Sequence, residues 1–472
     1  MPLGVLTRLQ TEGKSESSDV RIARRLASAF IVYGMVAIAF LAVNMPPFQN
    51  PDEPAHFLRA AQLADGAIVA FRFRNGDSGL AAGGWADPEL LAASDFHTLL
   101  AFHPEARATR ANWASGVHWS ENRVLAAFPG TALYPPFFYV PSAIGVLAGR
   151  LSGLSIVHTL ILSRVLTGVT AVALAAMAIL FAEAAAIWIF AVLTLPMSLS
   201  LISSPSQDAL LLACSALAGS LWVRLVRSPN KPRPLDLACL ALALGLVGMA
   251  RPPYVPITLL PLALVRAPWR WRIVAALGGA GLSLLWSCVS AATAMTNFGA
   301  FLGADPRAQL VLLSEHPLFV MHVIWGTLAH YWHFYLLSSI GMLGWLDTTL
   351  PLRYYPVAGT IVAGAALATV LGSNGERKGK PHLVMAASVL LSTAGVFAIE
   401  YLTWTIPGGA IVEGVQGRYL LPILLIGTGL LSLGRAKKCE RLRQALIVLV
   451  AVFPVVSLAV TMNAVIWRYY LQ

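Results

Sequence analysis

The sequence predicts an all-α polytopic membrane protein, a helical bundle of roughly 11–13 transmembrane helices with a long first extracytoplasmic loop. Three observations predict it. First, 57% of the 472 residues are hydrophobic, only 12% are charged, and the mean hydropathy is +0.70. A soluble domain this apolar could not cover its surface with polar groups. Second, apolar runs recur at 26–43, 136–150, 156–182, 184–202, 209–226, 235–250, 253–266, 273–295, 317–337, 354–371, 382–404, 418–434 and 445–467. Third, basic residues cluster in the short gaps between these runs, as they do on the cytoplasmic side of membrane proteins. The net charge of +11 therefore belongs to membrane topology. No basic domain is left over to hold phosphates, which excludes nucleic acid as a partner. The four cysteines (Cys214, Cys239, Cys288, Cys439) have no metal-ligand spacing and read as small core residues.

The elements follow in order. Residues 1–25 read as a cytoplasmic tail, and Arg21, Arg24 and Arg25 hold the start of the first helix in the cytoplasm. Residues 26–472 read as a single membrane domain. The clusters Arg224/Arg227/Lys231/Arg233, Arg266/Arg270/Arg272, Arg377/Lys378/Lys380 and Arg435/Lys437/Lys438/Arg441/Arg443 read as cytoplasmic. The loops near Asp52, Ser203–Asp208, Asp347 and Glu413–Arg418 then face outward. Parity requires 317–337, rich in Trp and His, to be interfacial or re-entrant. Segment 44–134 is long, hydrophilic and without clear periodicity, and resembles a functional cap more than a spacer. Arg164 and Glu183, isolated near apolar runs, read as partners of each other.

Five stretches concentrate polar chemistry. In Pro46–Arg59, Pro54 suits a first helical turn, Asp52 can cap it, and Gly66 provides a stop, so 54–65 reads as a short helix. Its row of His56, Arg59 and Gln62, with Asp52 and Glu53, gathers carboxylates, an imidazole and a guanidinium at the membrane surface. The alternative is a capped interfacial helix with solvated charges. Asp208 stands at a helix start, where its charge also suits the helix dipole. Arg251, in Arg251-Pro252-Pro253-Tyr254, needs an anion or water at membrane depth. Gln416-Gly417-Arg418-Tyr419 offers a guanidinium and a helix N-terminus, which together suit a phosphate. Asp347 ends Gly341-Met342-Leu343-Gly344-Trp345-Leu346-Asp347, and a Trp belt with a helix-end carboxylate explains it equally well.

Taken in order, Pro-Asp-Glu-Pro-x-His-Phe, Ser-Gln-Asp, Arg-Pro-Pro-Tyr, Gly-x-x-Gly-Trp-Leu-Asp and Gly-Val-Gln-Gly-Arg-Tyr resemble one family over roughly 30–435. It is a family of bacterial polytopic membrane proteins of unknown function, grouped with the GT-C glycosyltransferases. The resemblance implies a GT-C-like bundle in the bacterial inner membrane. It implies Asp52, with Glu53 beside it, as catalytic base or as ligands of a divalent cation such as Mg or Mn. His56, Arg59, Asp208, Arg251, Tyr254, Asp347, Gln416, Arg418 and Tyr419 would bind substrate. The donor would be a polyprenyl-phosphate sugar and the acceptor a cell-envelope glycan or lipid. The rival readings are a carrier or flippase for lipid-linked glycans, resting on Arg164 and Glu183, and a non-catalytic partner in envelope assembly.

Overall fold

The computed structural model describes residues 18–471, apart from 77–78, 110–112, 114, 374–378 and 433–438. The expected tail up to residue 17, and Arg377, Lys378, Arg435, Lys437 and Lys438, lie outside the described residues. The first apolar run forms helix α1 (Ser18–Asn44). At 1.5 Å per residue it is about 40 Å long, enough to cross a bilayer. One face buries Leu26, Phe30, Ile38 and Leu41, while Ile31, Val32, Met35 and Val36 are exposed. A helix apolar on both its packed and its open face is built for lipid. The helix Ile156–Phe181 packs along α1. Their closeness depends on Gly168, where an added Cβ would stand 2.8 Å from the Ile38 side chain. Small residues at such crossings let helices approach without a hydrophobic drive.

Among the described residues, seven helices are long and apolar enough to span: α1, Ile156–Phe181, Gln207–Arg227, Trp269–Ala294, Tyr354–Gly372, Lys380–Thr403 and Glu440–Tyr469. Two bent pairs raise the count to nine: Glu183–Leu193 with Pro196–Ile202, bent 82°, and Pro306–Glu315 with Phe319–Gly341, bent 116°. This is fewer than the apolar runs suggest, and proline explains part of the difference. Pro196 opens a new helix inside 184–202. The run 253–266 becomes a 3-10 segment, Pro252–Ala263, because Pro253, Pro256 and Pro261 bring no N–H. Pro234–Ala250 and Gly417–Ile426 remain shorter apolar helices.

Basic ends are drawn together. Arg266 Nη1 donates to Val226 O at 3.1 Å and Ser228 O at 2.7 Å, and Arg443 pairs with Asp19 across α1 and the last helix. At the other end sits the 44–134 segment, which does have a core of its own. Phe48, Phe57, Leu58, Leu90, Phe128 and Tyr139 pack in it with Ala82, Ala86 and Ala126. The core was hidden because its strands are short. β1 (Phe71–Arg74), β2 (Leu80–Ala86) and β3 (Val124–Ala127) form an antiparallel sheet in that order, with Phe71 opposite Gly83 and Trp85 opposite Leu125. Side chains alternate across it. Ala82, Ala86 and Ala126 turn inward toward α2 (Glu53–Ala64), while Trp85 and Leu125 turn outward. The cap is tied down by Arg72 Nη2 to Ala292 O (2.7 Å), Trp286 Nε1 to Leu133 O (2.9 Å) and Ala108 N to Tyr469 O (2.7 Å).

Candidate functional site

The chain leaves α1 through Met45–Pro51 and enters α2 at Glu53, with Pro54 in the first turn and Gly66 at φ +86° after the last, close to the expected 54–65. Asp52 occupies the N-cap, yet its side chain makes no cap hydrogen bond. Its backbone is left-handed (φ 56°, ψ 17°), a conformation Asp tolerates better than most residues. That twist sends the carboxylate out of the helix turn. Oδ2 accepts from Arg418 Nη2 at 2.7 Å, and half of the Asp52 side chain stays exposed while Arg418 is 4% exposed.

Glu53 points elsewhere. Arg164, from the helix Ile156–Phe181, meets it in a fork: Nε to Oε1 at 2.7 Å and Nη2 to Oε2 at 2.6 Å. Asn50 adds Nδ2 to Oε1 at 2.9 Å. Arg164 spends its remaining donors on Ala42 O, Met45 O and Pro46 O, at 2.7–3.0 Å. Both side chains are essentially fully buried. The pairing of Arg164 with Glu183 expected from sequence is thus replaced by Arg164 with Glu53. The buckle fixes the turn that presents Asp52 and leaves Glu53 no role as base or metal ligand. Arg59 is also withdrawn from the site. It is buried and donates to Gln62 Oε1 (2.6 Å), Ile68 O (2.6 Å) and Tyr134 O (3.3 Å).

Three further segments converge beside Asp52. Asp208, at the start of Gln207–Arg227, accepts from Arg251 Nη2 at 2.9 Å, with side chains 7% and 14% exposed. Tyr419 lies between the cations: the Arg251 guanidinium carbon is 4.1 Å and that of Arg418 5.4 Å from its ring centre. Tyr254 Oη donates to Tyr419 O at 2.6 Å and pins that backbone. Gly417 is required here, since an added Cβ would stand 2.2 Å from Tyr335 O. The expected cradle of free N–H groups is not present at this glycine: Gly417 N donates to Ser338 Oγ at 2.9 Å. The guanidinium groups offer what the backbone does not. Arg251 Nε and Arg418 Nε are buried without a hydrogen-bond partner, and so is Gln416 Oε1. An orphaned buried donor costs about 1–3 kcal/mol.

His56 completes the wall. Its Nδ1 lies 2.6 Å from Tyr139 Oη, and its ring stacks on Tyr134. Burial pushes its pKa down to about 4, against the pull of Asp52 and Asp208, so it is neutral at pH 7. For Asp52 burial works upward, but Arg418 and His56 outweigh it and hold the carboxyl below its usual range. Glu400, missed from sequence, lies within electrostatic reach of Arg251 and Arg418. The available signal was a lone carboxylate inside the apolar run 382–404. Tyr134 and Tyr139 had no such signal.

Asp347 does not join this group. Its Oδ2 accepts from Arg468 Nη2 (3.1 Å) and Phe102 N (3.0 Å), clamping the cap to the last helix. A divalent cation does not fit the residues present. Glu53 is turned away, Asp52 and Asp208 each face a guanidinium, and no three His, Cys, Asp or Glu groups converge among the described residues.

A bundle of seven to nine candidate spans, with a cluster of buried ion pairs beside a folded cap, defines a multi-pass α-helical membrane protein. The family model described as "Predicted membrane protein (DUF2142)" matches residues 23–427, and the chain belongs to that family. No curated protein and no solved structure matches it.

Proposed function

We propose that this protein is a GT-C-type inverting glycosyltransferase of the bacterial inner membrane, with its N-terminus in the cytoplasm. It would transfer a sugar from a polyprenyl phosphate to a cell-envelope glycan or lipid acceptor on the extracytoplasmic side, in polysaccharide assembly. One observation carries the reading: two buried guanidinium groups with unpartnered Nε donors flank Tyr419 beside the half-exposed carboxylate of Asp52. The orientation is supported by Arg21, Arg24 and Arg25 at the start of α1, the end away from the cap.

In the reaction the acceptor oxygen attacks the anomeric carbon and its proton passes to Asp52. The bond from that carbon to the phosphate oxygen breaks, the electron pair stays on the phosphate, and the anomeric centre inverts. Arg418 and Arg251 stabilise the charge that grows on the leaving group, where preorganised donors are most effective. A carboxylate held by Arg418 is a weak base. A phosphate that engages Arg418 relaxes that hold and restores basicity as the acceptor arrives. No step requires a metal. The carrier reading leaned on Arg164 and Glu183, and Arg164 is committed to Glu53.

The test uses the full chain in lipid nanodiscs with a panel of polyprenyl-phosphate sugars and mass detection of the product. Asp52→Asn is expected to lower turnover by about 10²–10⁴-fold. Unchanged turnover would remove the proposed base.

A further inference from the structure

The cap carries a concavity apart from Asp52. It holds about 430 Å³ and is lined by Gln62, Asp65, Ala67, Phe71, Trp85 and Arg123. The sheet register explains its shape. Trp85 and Phe71 emerge on one face of neighbouring strands, and the residue opposite Phe71 is Gly83, which adds no side chain between the rings. Gly83 has no alternative, because an added Cβ would stand 2.0 Å from Ala126 O. Trp85 is 53% exposed and Phe71 37%, so both rings are open to a ligand. The polar side is set in place. Asp65 accepts from Arg123 Nη2 at 3.3 Å and is also paired with Arg150, whose guanidinium lies 4.2 Å over the Trp119 ring. Gln62, 2% exposed, gives its oxygen to Arg59 and leaves Nε2 without a partner.

We propose that this concavity binds a pyranose unit of a neutral glycan, stacked on Trp85, with hydroxyl groups meeting the Asp65 carboxylate and the Arg123 guanidinium. The axial C–H groups of a sugar ring are weakly positive and suit the negative face of an indole. Its hydroxyls are donors and acceptors at once, which matches a carboxylate and a guanidinium already ordered by their ion pair. The inference deepens the transferase reading, on which it rests, by naming the acceptor's holding point.

The experiment measures saturation transfer by NMR from the full-length protein in nanodiscs to four soluble probes: cellotriose, chitotriose, mannotriose and galactotriose. At least one is expected to receive saturation at its ring protons. Trp85→Ala should weaken that binding about tenfold. Arg123→Ala, on a partly exposed side chain, should weaken it too and covers the case in which Trp85→Ala does not fold. No saturation of any probe, or unchanged binding in the folded variants, overturns the proposal. So does a photo-crosslinking residue at position 85 that labels lipid and none of the sugars. Asp52→Asn separates the two claims. Sugar binding with Asp52-independent transfer sinks only the transferase mechanism, whereas Asp52-dependent transfer without binding at Trp85 sinks only this pocket.

Discussion

Glu53 and Asp52 adjoin in sequence, but the regions they enter are built on opposite terms. Around Glu53 both carboxylate oxygens and the Arg164 guanidinium are matched, and the pair is closed to solvent. Around Asp52 the carboxylate is half exposed, its arginine keeps an orphan Nε, and the next pair, Arg251 with Asp208, repeats the deficit. Charge that only supports a fold tends to be saturated, since an unpaired buried ion is costly. Charge left with spare donors is suited to a ligand that has yet to arrive.

The largest effect that sharpens this contrast lies on the saturated side. Arg164→Leu strands the Glu53 carboxylate in a dry interior, and stability should fall by about 3–5 kcal/mol. Thermal unfolding in detergent reads it. Adding Glu53→Leu should restore much of the loss, because replacing both partners of a buried pair is often near neutral. Asp52→Asn should behave in reverse, with the melting point shifted little and turnover reduced as described above. If Arg164→Leu melts like the parent, the two regions are not of different kinds.

The pH dependence comes next. The unfolded His56 imidazole takes up a proton near 6.5, while the folded one resists until about 4. Between those values the unfolded chain binds more protons, so stability rises with pH through this window and is lost on acidification. Asp52, with its folded pKa lowered, acts in the same direction at still lower pH. The His56 contribution is on the order of 3 kcal/mol across the window. His56→Gln should flatten the melting-point profile between pH 6.5 and 4. A profile as steep as the parent's would assign the acid lability to other groups.

How far the sequence reveals this arrangement depends on the range of the interactions. α1 and α2 are legible because apolar periodicity, Pro54 and Gly66 act locally. The grouping of Asp208, Arg251, Arg418 and Tyr419 follows the ordered motifs and outward-facing loops. Partner choice is not local. Arg164 meets Glu53 rather than Glu183 because the helix Ile156–Phe181 packs against the exit of α1, which no spacing encodes. Asp52 reads as an ordinary cap until its left-handed backbone is seen. The cap's core is invisible to a search for periodicity because its strands are four to seven residues long.

Asp347 gives the smallest effect and the cleanest control. In sequence it looks equal to Asp52, an outward carboxylate after a glycine-rich turn. In the structure its Oδ2 is engaged on both sides, as the Glu53 oxygens are, although its partner Arg468 keeps an unpartnered buried Nε. Oδ2 serves Arg468 and Phe102 N, Oδ1 lies 3.1 Å from Thr348 Oγ1, and Arg468 also holds Leu100 O and Ala106 O. Asp347→Asn keeps the acceptor oxygen for the Phe102 amide and leaves Arg468 its carbonyls. The cost should be about 1–2 kcal/mol of stability, read as a small drop in melting point, with turnover preserved in the protein that remains folded. A loss of turnover at unchanged stability would move Asp347 into the reacting group and erase the boundary drawn here between holding the cap and doing the chemistry.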